Sequence, residues 1–297
     1  MVVKRQNDTI PKSFLINAGA ALFCITTAAL VVRSSFSFAA EPTCQELYSS
    51  STVFALRSAS GERHSPIDLQ TRIHGVDWGL FENVEIRTME HPTIRAAMRV
   101  NLPERDRARR DDEKTSGVGF AWRPDFFGAK PEGCLSYYIY LPQSFAFNVS
   151  GRLPGLYVER GARDGTARKP DTIGDTMLSV RWHRDNRIGV ELKRDGDTNK
   201  PNQYISSKAG DALPRGRWVR IDQQITLNAP GKDDGRIRLF VDGDLRLDAQ
   251  GIRIAEGTTQ GRIAGVDVAA HYTGSTGAWT AAPKATSLAL SELELLR

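Results

Sequence analysis

Ser179, Arg181 and His183 recur at every second position of Met177-Leu-Ser-Val-Arg-Trp-His183, and Glu191 and Lys193 do the same in Ile188-Gly-Val-Glu-Leu-Lys193. Together they offer two cations, a carboxylate, a hydroxyl and an imidazole. An arginine grips a carboxylate through two parallel donors and does not readily give up its proton. A histidine exchanges protons near neutral pH, and a lysine does so once burial or a neighbouring cation lowers its pKa. Such a set suits holding an anionic group and moving a proton beside it. Arg152, within Gly151-Arg-Leu-Pro-Gly-Leu156, adds a second guanidinium.

Strand alternation must bring these side chains together. Leu178, Val180 and Trp182 form one apolar series, and Ile188, Val190 and Leu192 another, which leaves the polar set on the opposite face. The turn Asp185-Asn-Arg187 predicts a hairpin joining the two segments, so that Ser179, Arg181, His183, Glu191 and Lys193 make one polar patch on a sheet. The plainer alternative is a solvated face whose opposite charges pair across strands. In the segment 135–141, Leu135, Tyr137, Ile139 and Leu141 share a core face, and Ser136, Tyr138 and Tyr140 share the other.

Short alternating segments separated by Gly, Pro, Asn and Asp continue along the chain, with almost no helical period, as expected of an all-β sandwich or jelly roll. Strands are predicted at 84–87, 93–102, 117–122, 135–141, 177–184, 188–193, 218–227, 236–241, 245–247, 263–272 and 287–295. Asp242-Gly243 between two apolar runs predicts a hairpin. The mixed charge run at 105–114 reads as a solvated loop. Residues 157–175, rich in Gly, Arg and Asp, read as a long loop after the Gly-Arg-Leu-Pro-Gly-Leu segment; such loops are often lids or binding loops.

Residues 1–40 read as an export signal: Lys4, Arg5 and Lys12 flank an uncharged apolar stretch at 14–32, and Ser37 and Ala39 offer a cleavage site. The stretch is also about as long as the roughly 20 residues that cross a bilayer, so a retained membrane anchor is the second reading. Either way, 41–297 is one β domain, expected to be secreted or periplasmic. More than half of the chain's net charge of +5 lies in the first 40 residues, and no nucleic-acid-binding motif appears, so nucleic acid is not expected as a partner. Cys44 and Cys134 remain beyond that segment; an oxidising compartment favours a disulfide between them, the alternative being two buried thiols. No hydrolase elbow, zincin motif or phosphate loop is present, and no metal-ligand cluster or cofactor is expected.

The order and spacing of several blocks resemble polysaccharide lyase family 14, from about residue 117 to the C-terminus. They are Leu135-Ser-Tyr-Tyr-Ile-Tyr-Leu-Pro142, Gly151-Arg-Leu-Pro-Gly-Leu156, Ser179-Val-Arg181, Arg217-Trp-Val-Arg-Ile221, Leu227-Asn-Ala-Pro-Gly231, Asp234-Gly-Arg-Ile-Arg-Leu-Phe-Val-Asp-Gly243, the late strand from Ile263 to Gly274 and the closing strand at 287–295. The resemblance implies a concanavalin A-like β-jelly roll, two antiparallel sheets with a concave groove, and cleavage of a uronate-containing acidic polysaccharide by β-elimination. That reaction needs a group that neutralises the carboxylate, a base for the C5 proton and an acid for the leaving O4.

Ser179 and Arg181 match the family's Ser-x-Arg pair. Arg152 stands where the family typically has a lysine, and Glu191 and Lys193 stand where it has a Tyr-x-Tyr pair. The chain therefore departs from the family at its proton-transfer positions. The expected assignment puts Arg152 and Arg181 on the carboxylate and His183 with Lys193 on the protons. Ser179, Glu191, Tyr138, Tyr140, Tyr204, His271 and Tyr272 are expected to contact the sugar. Two other functions stand beside the lyase: a carbohydrate-binding protein that kept the groove without the chemistry, and a structural envelope protein.

Overall fold

The computed structural model describes residues 42–104, 116–124, 130–159, 176–194, 202–208, 212–273, 279–280 and 282–297. The predicted export segment, the charge run at 105–114 and most of the predicted loop at 157–175 lie outside these residues. The strands, in chain order, are β1 (Ser51–Phe54), β2 (His74–Trp78), β3 (Val84–Thr88), β4 (Ala96–Leu102), β5 (Val118–Trp122), β6 (Glu132–Tyr140), β7 (Gly151–Glu159), β8 (Thr176–Trp182) and β9 (Ile188–Arg194). They continue with β10 (Gln203–Ser206), β11 (Trp218–Thr226), β12 (Gly235–Val241), β13 (Asp244–Ile252), β14 (Arg262–Thr273), β15 (Trp279–Thr280), β16 (Thr286–Ser291) and β17 (Leu293–Leu296). Among the described residues, three short helices accompany them: α1 (Cys44–Leu47), α2 (Pro66–Gln70) and α3 (Leu80–Asn83). None is long and apolar enough to cross a membrane.

The strands form two antiparallel sheets. One runs β13-β12-β11-β6-β16-β4-β3, with β17 on β6 and β1 on β17; the other runs β10-β9-β8-β7-β14-β5-β2, with β15 on β14. The predicted alternation holds. Leu178, Val180 and Trp182 of β8 and Ile188, Val190 and Leu192 of β9 are buried in the same core as Leu135, Tyr137 and Ile139 of β6. The β8–β9 hairpin turns through Asn186 at φ 68°, and the β12–β13 hairpin through Asp242 and Gly243 at φ 53° and 83°. Asn, Asp and Gly tolerate this left-handed region better than other residues, which is why these turns were readable.

The Gly-Arg-Leu-Pro-Gly-Leu segment, absent from the predicted strands, forms the first two thirds of β7, at the centre of the second sheet. Its breakers sit in a β-bulge, where pairing with β8 steps from Leu153↔Val180 to Gly155↔Ser179. Proline brings no N–H that the ladder would miss. A Cβ on Gly155 would lie 2.0 Å from the Leu178 carbonyl oxygen and 2.6 Å from Ser179 Cα, so only glycine fits this approach. A bulge disrupts the ladder locally, and the opposite sheet supplies partners. The Tyr137 hydroxyl donates to the Pro154 carbonyl at 3.1 Å. The buried Gln223 amide accepts from the Leu156 N–H at 2.8 Å and donates to the Leu178 carbonyl at 2.6 Å.

Gln223→Ala is therefore expected to cost about 1–3 kcal/mol for each of the two backbone groups left unpaired. Urea unfolding reads this as a lower midpoint; an unchanged midpoint would show that the bulge stands without Gln223.

The predicted closing strand is two strands. β16 pairs with β4 and β17 with β1, and the break falls at Glu292, whose carboxylate accepts from the Leu56 N–H at 2.9 Å. Cys44 and Cys134 are joined by a disulfide that ties α1 to β6 across 90 residues of sequence, a cross-link worth about 2–4 kcal/mol.

Candidate active site

The face of the β10-to-β2 sheet turned away from the core carries two adjacent rows of directly opposed residues. One row reads Asp267, Gly155, Ser179, Glu191, Tyr204 across β14, β7, β8, β9 and β10. The other reads His271, Arg152, Arg181, Gly189 across β14, β7, β8 and β9. Arg152 and Gly155 are three residues apart, a spacing that in a regular strand puts them on opposite faces. The bulge at Pro154 inserts the extra residue that turns both to the same side. The local sequence of β7 is thus what places Arg152 beside Arg181.

Glu191 sits between the two arginines. Its Oε2 accepts from Arg152 Nη2 at 2.7 Å and its Oε1 from Arg181 Nη1 at 2.8 Å. The three side chains are only 14%, 12% and 5% exposed for Arg152, Arg181 and Glu191. Arg181 Nη2 also donates to Thr273 Oγ1, and Asn202 Nδ2 lies 3.4 Å from Glu191 Oε1. Arg152 Nε is buried and has no partner among the described residues. Glu191 thus bridges the two guanidiniums, and the Asp267 carboxylate lies further along the same row. The buried Ser179 hydroxyl donates to Asp267 Oδ2 at 3.3 Å and forms the floor beside it.

At the β10 edge, the Tyr204 ring lies over Gly189, whose missing side chain makes the room: a Cβ there would stand 2.9 Å from the ring. Tyr204 stacks on His183 with centroids 5.7 Å apart and planes at 24°. Its hydroxyl is buried without a partner among the described residues. Burial pushes the phenol up to about 12 despite the opposing pull of Arg181. Asp185 Oδ1 is 2.9 Å from His183 Nδ1, a contact that is an ion pair only when the imidazole is protonated. The Arg187 guanidinium, and then His183, hold the Asp185 carboxyl far below the usual carboxylate range.

The structure brings Arg152, Ser179, Arg181, Glu191, His271 and Tyr204 together on this face, with His183 against Tyr204. Lys193 lies one row further along β9, opposite Met177. His271 is buried, edge-on to Trp78 at 5.5 Å, with Nδ1 2.8 Å from the Tyr272 carbonyl.

Three expected sugar contacts lie away from this face. Tyr272 points into the core, since it alternates with His271: it stacks on Phe145 at 5.6 Å, and its hydroxyl donates to the Ala146 carbonyl at 2.9 Å. Tyr138 and Tyr140 belong to β6 in the other sheet and face away from the core on that side. Tyr140 packs on Trp218 at 5.6 Å beside a 530 Å³ cavity that Arg87 and Arg99 also line.

Other residues on the face escaped the sequence reading. Asp267 and Thr273 follow from the alternation of β14 once Tyr272 is turned inward. Tyr157 was read as loop but continues β7 opposite Met177, with the Arg123 guanidinium 5.2 Å from its ring centre. Burial raises the Tyr157 phenol. Asn202 carried no sequence signal. Among the described residues, the grouping of metal-ligating types is Cys44, Cys134 and Asp222, whose two sulfurs are already spent on the disulfide.

The polysaccharide lyase 14 family model matches residues 90–293, more than half the chain and every member of both rows. A search of curated protein sequences finds no match. Among solved structures, the chain is similar to the PL-14 alginate lyase of Aplysia kurodai, at 19% identity and TM-score 0.55 over 74% of this chain and 88% of that one. Alginate lyase vAL-1 from Chlorella virus is similar at 14% identity and TM-score 0.59, over 83% and 100%. Alginate lyase Aly36B, as a variant in complex with alginate trisaccharide, is similar at 16% identity and TM-score 0.58, over 84% and 98%. At these identities the likeness shows the fold, the two-sheet jelly roll that the strand pattern predicts. With the family model spanning the strands that build both rows, the chain belongs to polysaccharide lyase family 14.

Proposed function

We propose that this protein cleaves a uronate-containing acidic polysaccharide, of alginate or glucuronan type, by β-elimination. The observation that carries the reading is the cross-strand pair Arg152 and Arg181, bridged by Glu191, beside a Tyr204 hydroxyl that has no partner among the described residues. The substrate carboxylate sits against the two guanidiniums. Loss of the C5 proton places extra negative charge on that carboxylate, where fixed donors in a water-poor site stabilise the transition state most. His183, held against the Tyr204 ring, takes the C5 proton. The electron pair forms the C4–C5 double bond, the C4–O4 bond breaks, and the Tyr204 phenol gives its proton to O4. Lys193, one row away, holds the carboxylate of a flanking uronate, and His271 and Ser179 shape the floor.

The family and the alginate trisaccharide bound by Aly36B support an acidic glycan as substrate. The N-terminal apolar segment and the Cys44–Cys134 bond support export to an oxidising compartment, secreted or periplasmic.

Incubation of the purified protein with alginate, polyglucuronate and a neutral glucan tests the reaction. Ultraviolet absorbance from the new C4–C5 double bond is expected to grow on a uronate polymer and not on the glucan. Binding of uronate polymers with no absorbance growth would replace the lyase by a carbohydrate-binding protein.

A further inference from the structure

Arg152 and Glu191, on strands either side of β8, are joined at 2.7 Å. Glu191 gives one carboxylate oxygen to each guanidinium, the arrangement in which two arginines hold a ligand's carboxylate. Here the protein supplies that carboxylate itself. Two readings predict opposite signs. If Glu191 only neutralises a buried pair of cations, removing its charge loosens the site and weakens every ligand. If it stands in the ligand's place, removing its charge frees donors and strengthens anionic ligands alone.

Three observations favour the second reading. Both oxygens of Glu191 face the guanidiniums that the lyase reading assigns to the uronate. Arg152 keeps a buried Nε without a partner among the described residues, a donor in reserve for a second anion. Asn202 Nδ2, 3.4 Å from Oε1 and on an exposed residue, offers a displaced carboxylate somewhere to go.

We propose that Glu191 is a built-in competitor for the substrate carboxylate and the specificity-determining residue of the site. A ligand enters only by bringing carboxylate charge that displaces Glu191 from Arg152 and Arg181. Neutral sugar chains cannot do this and are refused, a selectivity built from an unfavourable exchange rather than an added contact. The proposal rests on the lyase reading for the identity of the ligand, and on the ion-pair geometry for the exchange.

Calorimetric titration of Glu191→Gln tests it with alginate trisaccharide, with a neutral glucan trisaccharide and with formate. Glutamine keeps the shape and one acceptor but not the charge. Trisaccharide affinity is expected to rise about tenfold or more, the scale of one released charge-assisted contact. The neutral sugar should gain nothing, and formate should bind the variant more tightly than the wild type. Where the trisaccharide binds, unchanged or weaker binding by the variant, or an equal gain for the neutral sugar, overturns the proposal. If Glu191→Gln does not fold, Glu191→Asp retains the charge but withdraws it from one guanidinium. It is expected to give a smaller gain of the same sign, and no gain overturns the proposal equally. Formate separates the two levels: a formate gain without any trisaccharide binding leaves the exchange standing and removes the uronate, whereas no formate gain removes the exchange.

Discussion

Replacing Arg181 by lysine is expected to lower kcat on a uronate polymer by about 10²–10³-fold, the usual cost of removing one preorganised donor from a developing oxyanion. Lysine keeps the charge but loses the planar fork. Arg181 uses that fork to reach Glu191 with one nitrogen and Thr273 with another, so a single ammonium cannot stay anchored on Thr273 and present a second fixed nitrogen to the carboxylate that takes Glu191's place. Arg181→Ala is the less informative variant. It leaves Glu191 buried with one cation instead of two, and breaking a buried pair costs about 3–5 kcal/mol of stability. Lysine separates charge from geometry. Wild-type kcat in a folded Arg181→Lys protein would remove Arg181 from the chemistry.

Tyr204→Phe is expected to lower kcat by about 10²–10⁴-fold, the range for a lost general acid or base, without lowering stability. The ring stays over Gly189 and against His183. The lost hydroxyl is buried and unpartnered among the described residues, so deleting it removes a desolvated group that gains nothing in the folded state.

Burial also raises this phenol to about 12, which keeps its proton in place at neutral pH, as an acid requires. The consequence for stability has a definite sign. The unfolded phenol ionises near its ordinary value of 10.0 and the folded one only at about 12, so the unfolded chain loses its proton first. The contribution is full below that unfolded value and is lost as pH rises from there to about 12. Other buried tyrosines titrate in the same direction, so the comparison is between wild type and Tyr204→Phe across that window: the variant should fall less steeply. Full activity in the variant would assign the acid elsewhere.

Alternation made most of this site legible. The apolar series of β8 and β9 and the turn at Asp185-Asn186-Arg187 placed Ser179, Arg181 and Glu191 on one face, and the registers agree with that placement. Alternation also contained the answer for Tyr272, which is next to His271 and so must face the other way. Tyr138 and Tyr140 have the parity expected of them but lie in the other sheet. Parity fixes a face of a strand and says nothing about which sheet holds it.

The least legible element was β7. Pro154 and Gly155 read as strand breakers, and in isolation they are. They survive at the centre of a sheet because Gln223 and Tyr137, distant in sequence, satisfy the backbone groups that the bulge exposes. The ion pairing of Glu191 was equally hidden. It depends on Arg152 being turned toward Arg181, and the bulge does that.

The most direct measurement is a crystal structure of Tyr204→Phe with alginate trisaccharide, a variant expected to bind but not cleave. The account predicts a uronate carboxylate within hydrogen-bond distance of Arg152 and Arg181, with C5 facing His183, O4 facing position 204 and Glu191 turned toward Asn202. A trisaccharide seated on the opposite sheet, or one lying over an undisturbed Arg152–Glu191–Arg181 cluster with its carboxylates pointing to solvent, would contradict it.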